Sequence, residues 1–167
     1  ISFLKKSGKW TKPKSLGKTV NAKKADDISP FLAPDGKTLY FSSDREGGFG
    51  SKDIYMTKRL DDSWKKWSEP VNLGKTINSA AWEAYYSLDV SGEFAYMVSS
   101  DKISRRGDIV RIRLKEEIRP DPVVIVTGVV YNSKTNLPVE ASIVYSILAV
   151  GDECGVAKSN PNNGEYK

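Results

Sequence analysis

Trp10-Thr11-Lys12-Pro13-Lys14-Ser15-Leu16-Gly17-Lys18-Thr19-Val20-Asn21 returns 57 residues later as Trp67-Ser68-Glu69-Pro70-Val71-Asn72-Leu73-Gly74-Lys75-Thr76-Ile77-Asn78. Trp, Pro, Leu-Gly-Lys-Thr and Asn stay in register, so the first two-thirds of the chain is an internal repeat. Each copy continues on one plan. Phe31-Leu32-Ala33-Pro34-Asp35-Gly36-Lys37-Thr38-Leu39-Tyr40-Phe41-Ser42-Ser43-Asp44 aligns with Ser87–Asp101, and Asp53-Ile54-Tyr55-Met56-Thr57 aligns with Asp108-Ile109-Val110-Arg111-Ile112. Asp35-Gly36 and Ser91-Gly92 supply the positive φ of a tight hairpin turn. The short aromatic and branched runs beside them read as strands. Residues 1–114 show no capped run with apolar spacing i, i+3, i+4, i+7.

A repeat of this size holding three or four short strands matches one blade of a β-propeller, whose faces are buried only by stacking on neighbouring blades. Ile1-Ser2-Phe3-Leu4 aligns with Ile54-Tyr55-Met56-Thr57. The expectation is therefore all-β: a partial propeller at 1–114, with two full blades preceded by the last strand of another. Lys115 to Pro122 carries two prolines and reads as a short stiff linker. Over 123–167 come a strand run interrupted by Gly128, a turn at 132–138, a second strand run within 139–148, and an Asn163-Gly164 hairpin signal. These are expected to be the opening strands of a truncated β-sandwich.

Composition narrows the function. With 39% hydrophobic and 28% charged residues the chain is too apolar for disorder. The start lacks both an initiator Met and a signal-peptide core, so the chain is expected to begin after processing or partway through a longer protein. There is no His and a single Cys, Cys154. A Ser-His-Asp or Cys-His arrangement, an internal disulfide and a multi-Cys zinc site are thus excluded within this chain. Gly47-Gly48-Phe49-Gly50-Ser51-Lys52 lacks phosphate-loop spacing and precedes a strand instead of a helix. Asp35, Asp44, Asp53, Asp89, Asp101 and Asp108 recur near turn ends, which points to turn hydrogen bonding over glycosidase or calcium chemistry. The expectation is a non-enzyme with no cofactor and no metal.

The net charge of +5 is uneven: residues 1–114 hold 21 basic and 14 acidic side chains, and the first 25 residues hold eight lysines and no acid. Arg-aromatic interleaving of the single-strand-binding kind is missing, so no nucleic acid is expected as partner. Trp10 and Trp67 occupy matched positions suited to packing between repeats. Trp64 and Trp82 have no counterpart in the other copy, which makes them candidate partner or glycan contacts. Arg105 and Arg106 join them as candidate partner contacts, in a loop where the second copy departs from the Arg45-Glu46-Gly47-Gly48 pattern.

Pro34-Asp35-Gly36-Lys37-Thr38-Leu39-Tyr40-Phe41-Ser42-Ser43-Asp44-Arg45-Glu46-Gly47-Gly48 with Asp53-Ile54-Tyr55 resembles the TolB-like, WD-related propeller repeat. The Trp-x-x-Pro-x-x-Leu-Gly segment is similar to the version in OmpA-family envelope proteins. Val126-Thr127-Gly128-Val129-Val130-Tyr131 with Lys134-Thr135, Pro138-Val139 and the later Asn160-Pro161 and Gly164-Glu165-Tyr166 resembles the carboxypeptidase-regulatory-like, transthyretin-type sandwich. This order of domains is similar to periplasmic lipoproteins associated with the type IX secretion system. The resemblance implies a periplasmic, outer-membrane-associated scaffold that helps anchor a secretion complex to peptidoglycan. Its partners would be envelope proteins, with peptidoglycan held by a downstream domain and the membrane reached only through a lipid anchor, both outside this chain. The alternatives are an accessory propeller of a peptidase or other hydrolase, and a glycan-binding propeller.

Overall fold

The computed structural model describes residues 1–100 and 106–167. Among them the fold is all-β, with antiparallel sheets, none of them closed, and one 3-10 turn at Glu116–Ile118. No helix among the described residues is long and apolar enough to cross a membrane. The chain divides into two compact units, Ile1–Pro122 and Val123–Lys167.

In the first unit, β1 (Asp27–Leu32), β2 (Thr38–Ser43), β3 (Asp53–Lys58) and β4 (Val71–Asn72) form a four-stranded sheet in sequence order. β5 (Trp82–Leu88), β6 (Phe94–Ser100) and β7 (Gly107–Arg113) form a three-stranded sheet. Period-2 alternation sends Tyr40, Ile54 and Met56 of the first sheet and Tyr86, Ala95 and Met97 of the second into one core. Tyr40 and Tyr86 stack there at 4.5 Å. Ile54 is fully buried, a placement that contributes roughly 1.5–3 kcal/mol. The opposite face of the first sheet, with Leu39, Phe41 and Tyr55, packs on Val20 and Trp67.

The two sheets repeat each other in detail. Each hairpin's first strand carries a bulge, between Ile28 and Phe31 and between Ala84 and Ser87, and each bulge holds a residue at positive φ, Ser29 and Tyr85. In each copy a carboxylate at the start of the first strand accepts a serine hydroxyl from the second strand and a main-chain amide. Asp27 accepts from Ser43 at 2.7 Å and the Ala22 amide at 3.0 Å; Glu83 accepts from both Ser99 and the Ser79 amide at 3.1 Å. The matched serines are therefore Ser43 and Ser99, one residue off the sequence alignment that paired Asp44 with Asp101; Asp101 itself lies outside the described residues. The Leu-Gly turns are equally alike, with Asn21 N–H donating to Gly17 O and Asn78 N–H to Gly74 O, both at 2.8 Å.

At the N-terminus the Ser2 hydroxyl donates to Thr11 O, and the Thr11 hydroxyl accepts the Phe3 amide at 2.9 Å. Thr57, Ser68 and Lys58 make the same set. Ser2 thus matches Thr57, a shift of two residues from the apolar alignment of Ile1–Leu4, because the hydroxyl bonds and not apolarity fix the register.

Residues 115–122, expected as a linker, lie against the first unit. Tyr40 donates its hydroxyl to Ile118 O at 2.7 Å, Arg119 Nη2 donates to Leu114 O at 2.9 Å, and the Asp121 amide reaches Asp35 at 3.1 Å. The two prolines stiffen a segment that is already docked.

The second unit pairs β8 (Gly128–Val129) with β11 (Glu165–Tyr166), and β9 (Ser142–Ser146) with β10 (Glu153–Lys158). Of the expected 123–131 strand run, Gly128–Val129 pairs with β11 and Tyr131 forms an isolated antiparallel bridge with Pro138. The Asn163-Gly164 turn forms, with Gly164 at φ +72° and its amide donating to Asn160 O at 2.7 Å. It leads into β11, which pairs with β8 rather than with β10.

Candidate partner-binding face

The bulge in β5 and the alternation of β6 and β7 build one outward face on the second sheet. Ala95, Met97, Val110 and Ile112 point into the core, so Phe94, Tyr96, Val98, Ile109, Arg111 and Arg113 point away from it. The cross-strand pairs on this face are Phe94 with Arg113, Tyr96 with Arg111 and Val98 with Ile109. Ile109 is 80% exposed and Tyr96 37%. Arg111 places its guanidinium 4.8 Å over the Phe94 ring, while Arg113 sits 3.9 Å from Glu93. Gly107 is required here, since a Cβ on it would lie 2.5 Å from Val98 Cγ1.

Tyr85 stands out chemically. Its φ of +56° is a left-handed conformation that costs a bulky residue about 1–2 kcal/mol, and the first repeat fills the same bulge with the smaller Ser29. The result is a ring 64% exposed, edge-on to Trp82 at 5.8 Å. Residues held in such sparsely populated conformations cluster at functional sites.

The expected contact residues fall in different places. Trp82 opens β5, partly buried, beside Tyr85. Arg106 is exposed immediately before β7; Arg105 lies outside the described residues. Trp64 is partly buried on the other side of the first sheet. There Arg59 lies 4.5 Å over its ring, Phe3 meets it edge-on at 6.2 Å, and its carbonyl accepts Trp67 Nε1 at 3.0 Å. Its matched-position neighbours differ sharply, Trp67 being buried and Trp10 66% exposed. Tyr85, Tyr96, Ile109 and Arg111 were missed in the sequence. Their signal, alternation within two strands, is shared by any half-buried sheet.

Of the recurrent carboxylates, Asp35, Asp44, Asp53 and Asp89 are engaged in hydrogen bonds. The Asp53 side chain, buried, accepts the Phe49 and Gly50 amides at 2.5 and 2.9 Å and Asn72 Nδ2 at 2.7 Å, so the glycine-loop amides, the groups there suited to an anion, already hold one. Asp89 accepts from Ser91 and the Phe94 amide, which hold its carboxyl below the usual range. Asp44 accepts the Asp26 amide and pairs with Lys52 at 3.6 Å. Asp108 is exposed at the start of β7. Burial works to raise the Asp35 pKa, but bonds from the Thr38 hydroxyl and the Thr38, Lys37 and Asp121 amides outweigh it and hold the carboxyl low. Burial, then the charge of Asp35, pushes the Tyr40 hydroxyl well above its ordinary value. Among the described residues no three or more His, Cys, Asp or Glu side chains converge as a metal site.

On the far face of the first sheet an open cleft of about 560 Å³ is lined by Leu16, Val20, Ile28, Leu39 and Phe41, with Lys14 at its edge. Leu39 and Phe41 match Ala95 and Met97, the residues by which the second sheet packs on the first. Comparison with known proteins gives no family model that matches the chain, and no curated protein or solved structure that matches it.

Proposed function

We propose that this chain is a non-catalytic protein-interaction module: two blades of a propeller-type stack and part of a regulatory-like sandwich, with the outer face of the second sheet as its partner-binding surface. The exposed Tyr85, held in a strained bulge beside Trp82 and continuous with Tyr96, Ile109 and Arg111, carries this assignment. Aromatic and arginine side chains are the types that dominate binding energy in protein interfaces. The engagement of Asp27, Asp35, Asp53, Glu83 and Asp89 in internal hydrogen bonds supports a structural rather than catalytic use of the carboxylates. The resemblance of the repeat motifs extends the proposal to a periplasmic, outer-membrane-associated scaffold of a secretion complex, with peptidoglycan held elsewhere in the intact protein.

The test is photo-crosslinking from position 96 in the intact protein, with position 60 as an exposed control, in wild-type and Tyr85→Gly backgrounds. Gly at 85 relieves about 1–2 kcal/mol of left-handed strain and gives up roughly 0.5–1 kcal/mol of chain entropy. Stability is therefore expected to hold or rise slightly while adducts from position 96 disappear. Equal adducts from both positions, or an intact protein that fractionates as soluble and partnerless, overturn the proposal.

A further inference from the structure

The two sheets share strand order and register but differ at one edge. In the first sheet the outer edge of β3 is closed: Tyr55 pairs with Asn72 and Met56 with Val71. Beyond that short strand, Ser68 N–H donates to Lys58 O at 2.9 Å, and the Ser68 hydroxyl accepts the Lys58 amide at 2.9 Å. Asn78 accepts the Ile54 amide at 2.7 Å and donates to Ile54 O at 3.0 Å. Asp53 and Asp108 hold matching places, opposite Ser43 and Ser99. Ile54, Met56 and Lys58 therefore correspond to Ile109, Arg111 and Arg113. Those three direct their N–H and C=O groups away from β6, and among the described residues no strand pairs with that edge of β7. Its outward side chains are one exposed isoleucine and two exposed arginines.

We propose that the free edge of β7 accepts an extended acidic segment of another polypeptide as an antiparallel fourth strand. Acidic side chains stand opposite Arg113 and Arg111, and an apolar one stands opposite Ile109. Strand addition provides the main-chain bonds that β4 and Ser68 provide in the first sheet, and alternate side chains provide the selectivity. Charge selects against the other occupants. Two β7 edges paired antiparallel would set arginine against arginine. The N-terminal segment of the chain has eight lysines in its first 25 residues and is already bonded to itself at Phe3 and Thr11. The proposal rests on the outer face being a partner site and specifies the chemistry of that partner.

The probe is the peptide acetyl-Thr-Glu-Val-Glu-Val-Val-Thr-amide, titrated into the ¹⁵N-labelled 167-residue chain. Expected are saturable shifts and slowed hydrogen exchange at the Ile109, Arg111 and Arg113 amides. A peptide with Lys in place of both Glu residues, and one N-methylated at its edge-bonding amides, are each expected to bind at least about tenfold more weakly. The Arg111→Glu/Arg113→Glu chain is expected to reverse the preference toward the Lys peptide, which tests charge pairing without relying on loss of binding. Absence of shifts at about 1 mM peptide, where a ligand of millimolar or tighter affinity half-saturates the chain or more, overturns the proposal. Equal binding of the N-methylated peptide also overturns it. Protection of the same amides in a concentration-dependent dimer gives the edge to a second copy and overturns it too. If the peptide fails while adducts from position 96 persist, the edge is rejected and the face stands; if both fail, the face is rejected with it.

Discussion

Replacing Glu83 tests whether the carboxylate–serine node is what holds the second sheet in register. Its side chain is fully buried and accepts the Ser79 amide at 3.1 Å on one oxygen, and the Ser79 and Ser99 hydroxyls at 2.6 and 3.1 Å on the other. Hydrogen bonds to a charged group contribute roughly 1.5–3 kcal/mol each, and burying the carboxylate costs several kcal/mol in return. Truncation leaves three donors without an acceptor and a void, so Glu83→Ala is expected to cost about 3–5 kcal/mol, the usual range for breaking a buried charged network. Glu83→Gln separates charge from geometry. Its amide nitrogen cannot face the Ser79 N–H, but it can face the two hydroxyls, which rotate to accept; its oxygen keeps the Ser79 amide. The charge assistance is lost and the two hydroxyl protons give up the oxygen they shared, so the expected cost is about 1–3 kcal/mol, below that of alanine. Urea unfolding at neutral pH measures both. Trp82, the adjacent residue, reports local displacement by its fluorescence. An alanine variant within about 1 kcal/mol of the parent, or a glutamine variant as damaging as alanine, refutes the hydrogen-bond account of the node.

Two further outcomes follow from the core and its docked segment. Tyr40→Phe removes the bond to Ile118 O and is expected to cost about 1 kcal/mol, whereas Tyr86→Phe removes a buried hydroxyl with no partner among the described residues and is expected to be neutral or stabilising; thermal unfolding of both variants checks the contrast. The Asp35 carboxyl is held below its ordinary 3.8 in the folded chain. Its contribution is therefore fully present above that unfolded value and is lost as pH falls through the lower folded one. The stability gap to Asp35→Asn is expected to be constant above about pH 5 and to close below pH 4, and acid titration of both chains that shows a gap widening with acid contradicts it.

The repeat was legible because its shared glycines and asparagines, Gly17 and Gly74 with Asn21 and Asn78, sit where the same turn is closed twice. Ser15 and Asn72 each accept a glycine amide two residues on, from Gly17 at 3.1 Å and Gly74 at 2.8 Å, and each bonds the asparagine that closes the motif. What hid the true register was chemistry performed by unlike residues. Asp27 and Glu83 do one job with different chain lengths, so the identity of their places is visible only in the hydrogen bonds. Trp64 illustrates a second limit: a tryptophan without a counterpart in the repeat reads as spare. Its ring is held between Arg59 and Phe3, residues that no spacing rule connects to it. The outer face was illegible for a third reason. The bulge at Tyr85 resets the phase of β5, so alternation counted along the sequence assigns its side chains to the wrong side.

A sheet in a linear stack has two faces, and each neighbour covers only one, so two stacked sheets leave two outer faces whose chemistry decides what can meet them. Here they are unlike in shape and alike in sign. The far face of the first sheet is a cleft of Leu39, Phe41 and Val20 beneath a lysine-rich segment, with Lys14 at its rim. The outer face of the second is an open aromatic surface lined on its edge strand by Arg111 and Arg113. Exposed like charges directly opposed are destabilising. Lys14 on the one face and Arg111 and Arg113 on the other would repel if two copies met end to end. The same sign that keeps copies apart favours a partner with complementary, acidic chemistry. Within the second sheet that partner meets an edge whose main-chain groups are already aligned, which links the selectivity of this surface to a departure from the repeat, an edge that no strand among the described residues covers.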